Sequence, residues 1–347
     1  MQLTKCLNPK LIKNRYSLVD SYLRRRAIAK GFPLELAIEI TNNCNAECVM
    51  CPRLKMSRDK GFMSFDLFKK IVDEARDYTE FVFLHLAGEP LLHPDLLKMI
   101  GYCKKSGINT ALSTNAILLD KIKSRELINS PLDLLVLSLD SLTKETYEKI
   151  RKKSNFDNVH ANIIDFLRIK SETRRSPHTV VQLIYMKENA MEVKEYIKKW
   201  EKTGVNSVRI KPYLNYPGLD NYLGQLHKRE TAVSNPCILL WRQMAIYWDG
   251  STVSCCQDFL GQSVVGDVNK NSIKEIWNSK SMVALRKLHI EGRYKEANLC
   301  KDCTVPQLSS ILMLGAVLID DLTIKKLLPS IEQLVIMKNL RKISYFT

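Results

Sequence analysis

Short apolar runs alternate with amphipathic stretches of helical period along the first two hundred residues. Positions 34–40 (LELAIEI) change polarity almost residue by residue and read as a strand. Ser64 then stands as an N-cap for a helix over 65–77, whose apolar stripe is Leu67, Phe68, Ile71, Val72 and Ala75. The pattern repeats. Strands are predicted over 81–86, 108–113, 132–139, 179–185 and 208–211. Helices are predicted over 95–105 (stopped by Gly107), 118–128, 143–171 and 192–202 (closed by Gly204).

Six strand-then-helix units with apolar strands predict a parallel sheet buried on both faces, an α/β fold. Six units suit an open, partial (β/α)6 TIM-type barrel better than the closed eightfold barrel, and chemistry then gathers at the C-terminal ends of the strands. A doubly wound dinucleotide fold is disfavoured, because no G-x-G-x-x-G follows the first strand. Over 213–235 the pattern breaks into a linker containing Tyr, Asn and Gly. Residues 244–248, the turn Asp249-Gly250 and 251–255 read as a β-hairpin, and Ser272 with Glu275 forms a capping box opening a short helix. The expected organisation is a basic segment over 1–30, a core domain over 31–230, a small cysteine-rich domain over 231–305 and a helical tail over 306–347. The tail's apolar positions, Ile311, Leu312, Leu318 and Ile319 among them, are expected to pack on the barrel.

Composition (45% hydrophobic, 26% charged) is that of a globular chain and excludes wholesale disorder. No apolar run approaches the roughly 18 residues that cross a bilayer. Lys5, Lys10, Lys13 and Arg15 interrupt any signal-peptide core, so the expected compartment is the cytoplasm. The net charge is +16, and residues 1–30 carry eight Lys/Arg against one acid, Asp20. Such a surplus favours anionic partners (phosphorylated substrate, nucleic acid, lipid surface) without choosing among them.

Ten cysteines in a reducing compartment point to metal ligation rather than disulfides. They cluster as Cys44, Cys48 and Cys51, then Cys237, Cys255, Cys256, Cys300 and Cys303, while Cys103 on a predicted helix reads as a buried apolar residue. Three thiolates on one short loop fall one short of the four that a [4Fe–4S] cluster takes from protein, which leaves one iron with open coordination. The bland alternatives are a zinc knuckle or three core cysteines; zinc closes its shell with four ligands, and this loop offers no fourth.

With this three-cysteine loop placed after the first strand, the sequence resembles the radical S-adenosylmethionine (SAM) superfamily. Gly88-Glu89-Pro90 after strand two matches that family's Gly-Gly-Glu-Pro motif, which holds the SAM amino group, with Ala87 in place of the first glycine. Asn115, Ser138 and Asp140 fall where the family lines the methionine and ribose, and Met50 stands where an aromatic residue often meets the adenine; Gln182 and Lys211 are weaker matches. The resemblance implies a [4Fe–4S] cluster on Cys44, Cys48 and Cys51 with exchangeable S-adenosyl-L-methionine. It further implies reductive cleavage of SAM to a 5′-deoxyadenosyl radical that takes a hydrogen atom from the substrate, and a flavodoxin- or ferredoxin-like one-electron donor. On this reading Glu89 is a SAM ligand rather than an acid or base.

The later cysteines, Cys237, Gly250-x4-Cys255 and Cys300-x2-Cys303, resemble the auxiliary-cluster region of SPASM and twitch enzymes. With no cysteine after Cys303, this implies one auxiliary [4Fe–4S] cluster on Cys237, Cys255, Cys300 and Cys303 that accepts or relays an electron, Cys256 being a neighbour; a four-cysteine zinc site is the alternative. Twitch relatives include dehydrogenases of aminocyclitol alcohols, and SPASM relatives include sulfatase-maturating and peptide-modifying enzymes. Residues 1–30 are too short for a winged peptide-binding module, so the expected substrate is small and polar, sugar- or cyclitol-like, with a peptide maturase as the alternative. A reading of another class is a zinc- or cluster-stabilised basic nucleic-acid binder using Arg24, Arg25, Arg26, Lys30 and the patch over 168–175, although no stacking aromatics interleave these runs. His85 and His93 flank the Gly-Glu-Pro turn, and pleat parity points His85 inward as a substrate-side candidate.

Overall fold

The computed structural model describes residues 8–173, 176–213, 235–301 and 303. The expected tail over 306–347 and most of the 213–235 linker lie outside the described residues. Helix α1 (Pro9–Leu23) leads into β1 (Glu35–Ile38), α2 (Phe65–Ala75), β2 (Phe81–Phe83), α3 (Leu96–Lys105), β3 (Asn109–Thr114) and α4 (Lys121–Asn129). There follow β4 (Leu134–Ser138), α5 (Lys144–Ile150), α6 (Phe156–Ser171), β5 (His178–Tyr185), α7 (Val193–Trp200) and β6 (Ser207–Pro212). These six strands are parallel and neighbours in chain order, the arrangement of a partial (β/α)6 barrel.

Strand alternation divides the side chains between two cores. Leu36, Ile38, Leu112, Leu135, Leu137, Val181, Leu183, Val208 and Ile210 join the helix-facing core with Phe68, Ile71 and Val72 of α2. Phe81, Ala111, Leu134, Val136 and Val180 face the opposite way and form a second cluster inside the curve of the sheet. Period-2 alternation thus gives each strand one side chain for the helices and the next for the interior.

One element differs from the sequence expectation. The strand expected over 81–86 keeps its sheet register only through Phe83, because the chain then peels away towards the first loop, where Glu89 N donates to Asn43 O at 2.7 Å. The helical stretches expected over 143–171 are two helices, separated at Arg151 and Lys152, which pair antiparallel with Glu47 and Cys48. Lys153 turns the chain with φ +61, and Asn155 caps α6 by accepting from Asn158 N.

The C-terminal unit joins the sheet of the barrel. Strand β7 (Gln243–Ile246) pairs in parallel with β1, Glu35 opposite Gln243 through Ile38 opposite Ile246. It turns at Gly250 (φ +94) into antiparallel β8 (Ser251–Val253), which pairs with β9 (Val264–Asp267). Among the described residues the result is one nine-stranded sheet, ordered β9-β8-β7-β1 and onward to β6. Helix α8 (Ile273–Trp277) carries the expected Ser272/Glu275 capping box, and α9 (Lys280–Ile290) follows.

The basic N-terminal stretch is a docked helix. Leu11, Leu18, Val19 and Tyr22 of α1 are buried, and Asn14 Nδ2 donates to the carbonyls of Phe32 and Tyr78 at 2.9 Å each. Four of its cations pair within the molecule: Lys10 with Asp77, Arg15 with Glu80, and both Arg24 and Arg26 with Asp20. Arg168 of the second basic patch likewise meets Asp165 and Glu172. Among the described residues no helix is long and apolar enough to cross a membrane.

Candidate functional site

The three early thiols sit on the loop leaving the C-terminal end of β1, and side chains flanking the loop hold its base. Thr41 Oγ1 donates to Gly61 O at 2.7 Å, Asn42 Nδ2 to Asp59 O at 2.7 Å, and Gly61 N back to Asn42 Oδ1 at 3.0 Å. Glu39, fully buried at the end of β1, receives two hydrogen bonds from Arg58 at 3.0 and 2.9 Å, while the guanidinium lies 3.5 Å from the centre of the Tyr247 ring. The Trp248 ring closes over Gly61, where a Cβ would stand 2.4 Å from its carbons. The hairpin β7–β8 therefore clamps the return limb of the cysteine loop.

The Gly-Glu-Pro turn lies against the same loop. Gly88 has φ +88, and a Cβ there would meet Thr41 O at 2.4 Å, Asn42 Cα at 2.8 Å and Asn43 O at 2.8 Å. Its neighbour Ala87 is buried with ordinary backbone, and Pro90 opens a short 3-10 turn. The Glu89 carboxylate accepts from Leu91 N (3.0 Å), Thr114 Oγ1 (2.8 Å) and Asn115 N (2.8 Å). Burial pushes its pKa up while those three donors oppose the shift. The carboxylate thus braces the turn after β2 to the end of β3, and the turn's main chain is what faces the thiol loop. Asn115 Nδ2 donates to Asn45 Oδ1 at 2.8 Å and lies 3.8 Å from Cys44 Sγ.

On the far side, Cys48 belongs to the short pairing with Arg151. Arg151 Nε donates to Asp140 Oδ2 at 2.7 Å, and its Nη1 lies 4.0 Å from Cys48 Sγ. The other Asp140 oxygen accepts from Ile184 N at 2.7 Å, so this wholly buried carboxylate bears on the thiol loop through Arg151. Ser138 Oγ lies 3.4 Å from Ser113 Oγ on the interior face, and Met50 is buried with Ile150 and Met186. Breaking a buried pair by removing one partner costs about 3–5 kcal/mol. Arg151→Met should therefore lower chemical-denaturation stability by about that much, with partial recovery in Arg151→Met/Asp140→Leu; full stability in the single variant would contradict the bracing role.

The thiols are half-buried, and those of Cys44 and Cys51 face main-chain N–H groups. Burial pushes Cys48 up to about 12, opposed by the Arg151 charge, and raises Cys44 and Cys51, which face the amides of Ala46 and Arg53. Such thiols ionise against a metal's positive charge, so cluster assembly releases their protons. With N–H groups directed at sulfur and an arginine beside Cys48, the donor set fits a thiolate-bound cluster carrying net negative charge.

The late cysteines gather between α9 and the hairpin. Cys237 precedes a 3-10 turn (Ile238–Trp241) whose Leu239 and Leu240 amides face its sulfur, and burial pushes Cys237 and Cys300 up to about 12. Gln257 N donates to Cys255 Sγ at 3.5 Å, and the Cys303 amide donates to Cys300 O at 3.2 Å. Cys256 packs against the interior cluster of Ala37, Ala245, Tyr247 and Val253. Two residues that the sequence did not single out stand beside the sulfurs: Arg151 beside Cys48, and His289, whose Nε2 is 3.3 Å from Cys300 Sγ. Neither carries a motif signal, since each matters only through a partner far along the chain or on another element.

His85 points into the interior as parity predicts. Its ring packs edge-on to Phe83, and Nδ1 is buried with no hydrogen-bond partner among the described residues. Burial, then the Lys211 charge, push its pKa down to about 4, so the ring is neutral at physiological pH. His93 has both nitrogens occupied, Nε2 by Met63 O and Nδ1 by Asp95 N, and braces its loop. Gln182 and Lys211 lie on strand positions opposite the helix-facing residues Val181, Leu183, Val208 and Ile210.

A family model of the radical SAM superfamily matches residues 38–210, and an iron–sulfur cluster-binding (SPASM) model matches residues 237–304. A Pyrococcus furiosus relative, the tungsten-containing aldehyde ferredoxin oxidoreductase cofactor-modifying protein, is 24% identical, covering 78% of this chain and 87% of its own. Mycofactocin maturase MftC of Mycobacterium tuberculosis is 30% identical over 125 residues, 36% of this chain and 32% of its own. The structure of anSMEcpe with bound AdoMet superposes with a TM-score of 0.61 at 16% identity, covering 87% of this chain and 95% of that one.

Proposed function

From the premise that this chain belongs to the radical SAM superfamily and carries a SPASM-type iron–sulfur domain, we propose that it oxidises a small polar substrate, sugar- or cyclitol-like, with one auxiliary cluster receiving or relaying an electron. Its radical SAM portion implies a [4Fe–4S] cluster and SAM, and its SPASM portion implies auxiliary iron–sulfur binding. Cys44, Cys48 and Cys51 would hold the first cluster; Cys237, Cys255, Cys300 and Cys303 would hold the second. When bound, the first cluster supplies one electron that cleaves SAM to methionine and a 5′-deoxyadenosyl radical, which takes hydrogen from the substrate.

The observation that carries this reading is the 2.7 Å hydrogen bond from Glu89 N to Asn43 O, which lays the Gly88-Glu89-Pro90 turn against the three-thiol loop. The turn's main chain would hold the SAM amino group, and Glu89 keeps that main chain in place through Thr114, Leu91 and Asn115. Asn115 and Ser138 would line the methionine and ribose, Asp140 would act through Arg151, and Met50 would pack near the adenine. The polar substrate is supported by the interior at the strands' C-terminal ends, where His85, Ser113, Ser138 and Gln182 offer hydrogen bonds. The net charge of +16 is compatible with an anionic electron donor of flavodoxin or ferredoxin type.

The likeness to MftC supports a second reading, a peptide maturase. With SAM and reductant under anaerobic conditions, a substrate deuterated at its carbinol carbon should deliver deuterium into 5′-deoxyadenosine and yield the ketone. Deuterium arriving only from a peptide would overturn the small-substrate reading. Alanine in place of Cys237, Cys255, Cys300 or Cys303 should remove about half of the bound iron while SAM cleavage without substrate stays measurable. Unchanged iron in all four variants would dismiss the auxiliary site.

A further inference from the structure

We propose that His289 donates its Nε2 proton to the sulfur of Cys300 and thereby raises the reduction potential of the auxiliary cluster. The inference rests on the reading that the late cysteines carry an iron–sulfur cluster, whose donor set the clustered thiols and the facing amides of Leu239, Leu240 and Gln257 fit. The geometry decides the tautomer. The main-chain N–H of Cys237 donates to His289 Nδ1 at 3.3 Å, so that nitrogen holds a lone pair and no proton. The neutral ring then carries its hydrogen on Nε2, which lies 3.3 Å from Cys300 Sγ. A ligating thiolate only accepts, so this contact runs in one direction, from imidazole to sulfur.

Placement makes the arrangement rigid. His289 is buried in the last turn of α9, beyond which Gly292 turns the chain (φ +74), and its ring lies against Tyr294 with centroids 5.7 Å apart. One imidazole thus ties the loop of Cys237 to the loop of Cys300. The amides at Cys237 and Cys255 come with the main chain whatever the side chains are. The N–H at Cys300 exists because position 289 is histidine.

A hydrogen bond to a cluster sulfur stabilises the electron-rich, reduced state and moves the potential upward. That direction suits an acceptor of the second electron in an alcohol oxidation, because a higher potential favours transfer from the substrate-derived radical. His289 is a positioning and tuning residue here, distinct from the ligands themselves.

The test uses anaerobically reconstituted full-length protein, wild type against His289→Leu and His289→Gln, with iron content and redox titration followed by electron paramagnetic resonance. The expected result is full iron in both variants, with the auxiliary midpoint shifted to more negative potential in His289→Leu and less so in His289→Gln. In wild type labelled with 15N-histidine, pulsed resonance on the reduced auxiliary cluster should show a weak histidine-nitrogen coupling and an exchangeable proton. This second measurement holds even where His289→Leu fails to assemble its cluster. Identical midpoints at full iron, or no histidine coupling in the wild type, would overturn the proposal. Wild-type iron sufficient for one cluster would instead defeat the auxiliary-cluster reading itself, and this inference with it.

Discussion

Alanine in place of Cys44, Cys48 or Cys51 is expected to reduce SAM cleavage to background. On the proposed assignment each thiol would supply one of three iron ligands, and the loop has no fourth cysteine to substitute. The loop base is held by Thr41, Asn42 and Gly61 and not by the thiols, so these variants should fold. The loss is therefore expected in 5′-deoxyadenosine formation with dithionite and SAM, measured by liquid chromatography, while the circular dichroism spectrum stays that of the wild type. Sustained 5′-deoxyadenosine formation by any of the three variants would refute the assignment. Serine in the same positions separates ligand loss from cavity effects, because it keeps the volume and supplies a poorer iron ligand.

Gly88→Ala is expected to be nearly as damaging without touching a ligand. The new methyl meets backbone atoms at 2.4, 2.8 and 2.8 Å, which cannot yield as a side-chain tip can, and φ +88 is unfavourable for alanine. Left-handed backbone costs about 1–2 kcal/mol and overpacking about 1–3 kcal/mol, so a stability loss of roughly 2–5 kcal/mol is expected in denaturant titration. A shift of about 1 Å between the turn and the thiol loop can cost about 10²-fold in rate, so SAM cleavage should fall by roughly that factor at full iron content. Ala87→Gly is the control, one residue away with ordinary backbone and expected to cost only about 0.5–1 kcal/mol. Equal activity in Gly88→Ala and wild type would show that the close approach of the turn to the loop is dispensable.

Much of the site is legible because its signals are local. The 44, 48 and 51 spacing, the Gly-Glu-Pro turn and the Ser272/Glu275 capping box each lie within a few residues, where backbone geometry alone relates the parts. The barrel order follows from alternation: Leu135 and Leu137 against Leu134 and Val136 already divide the helix side from the interior. The basic stretch before residue 30 misleads when read by charge. Its cations share a helix with Leu11, Leu18 and Tyr22, and apolar burial rather than charge decides where that helix goes.

What sequence alone determined is thus the set of periodic elements, the open-cornered thiol loop and the family to which the chain belongs, because those depend on neighbours along the chain. Tertiary structure alone decided that β7 pairs with β1 and makes one sheet of the two cysteine regions. It also decided that Arg151 faces Cys48 and that His289 joins Cys237 to Cys300. Those are relations between residues about fifty to two hundred positions apart, or on separate elements, and pattern carries no record of them. The closure of long loops against one buried sheet brings the charges and sulfurs within reach, and only there does a hydrogen-bond donor acquire its acceptor.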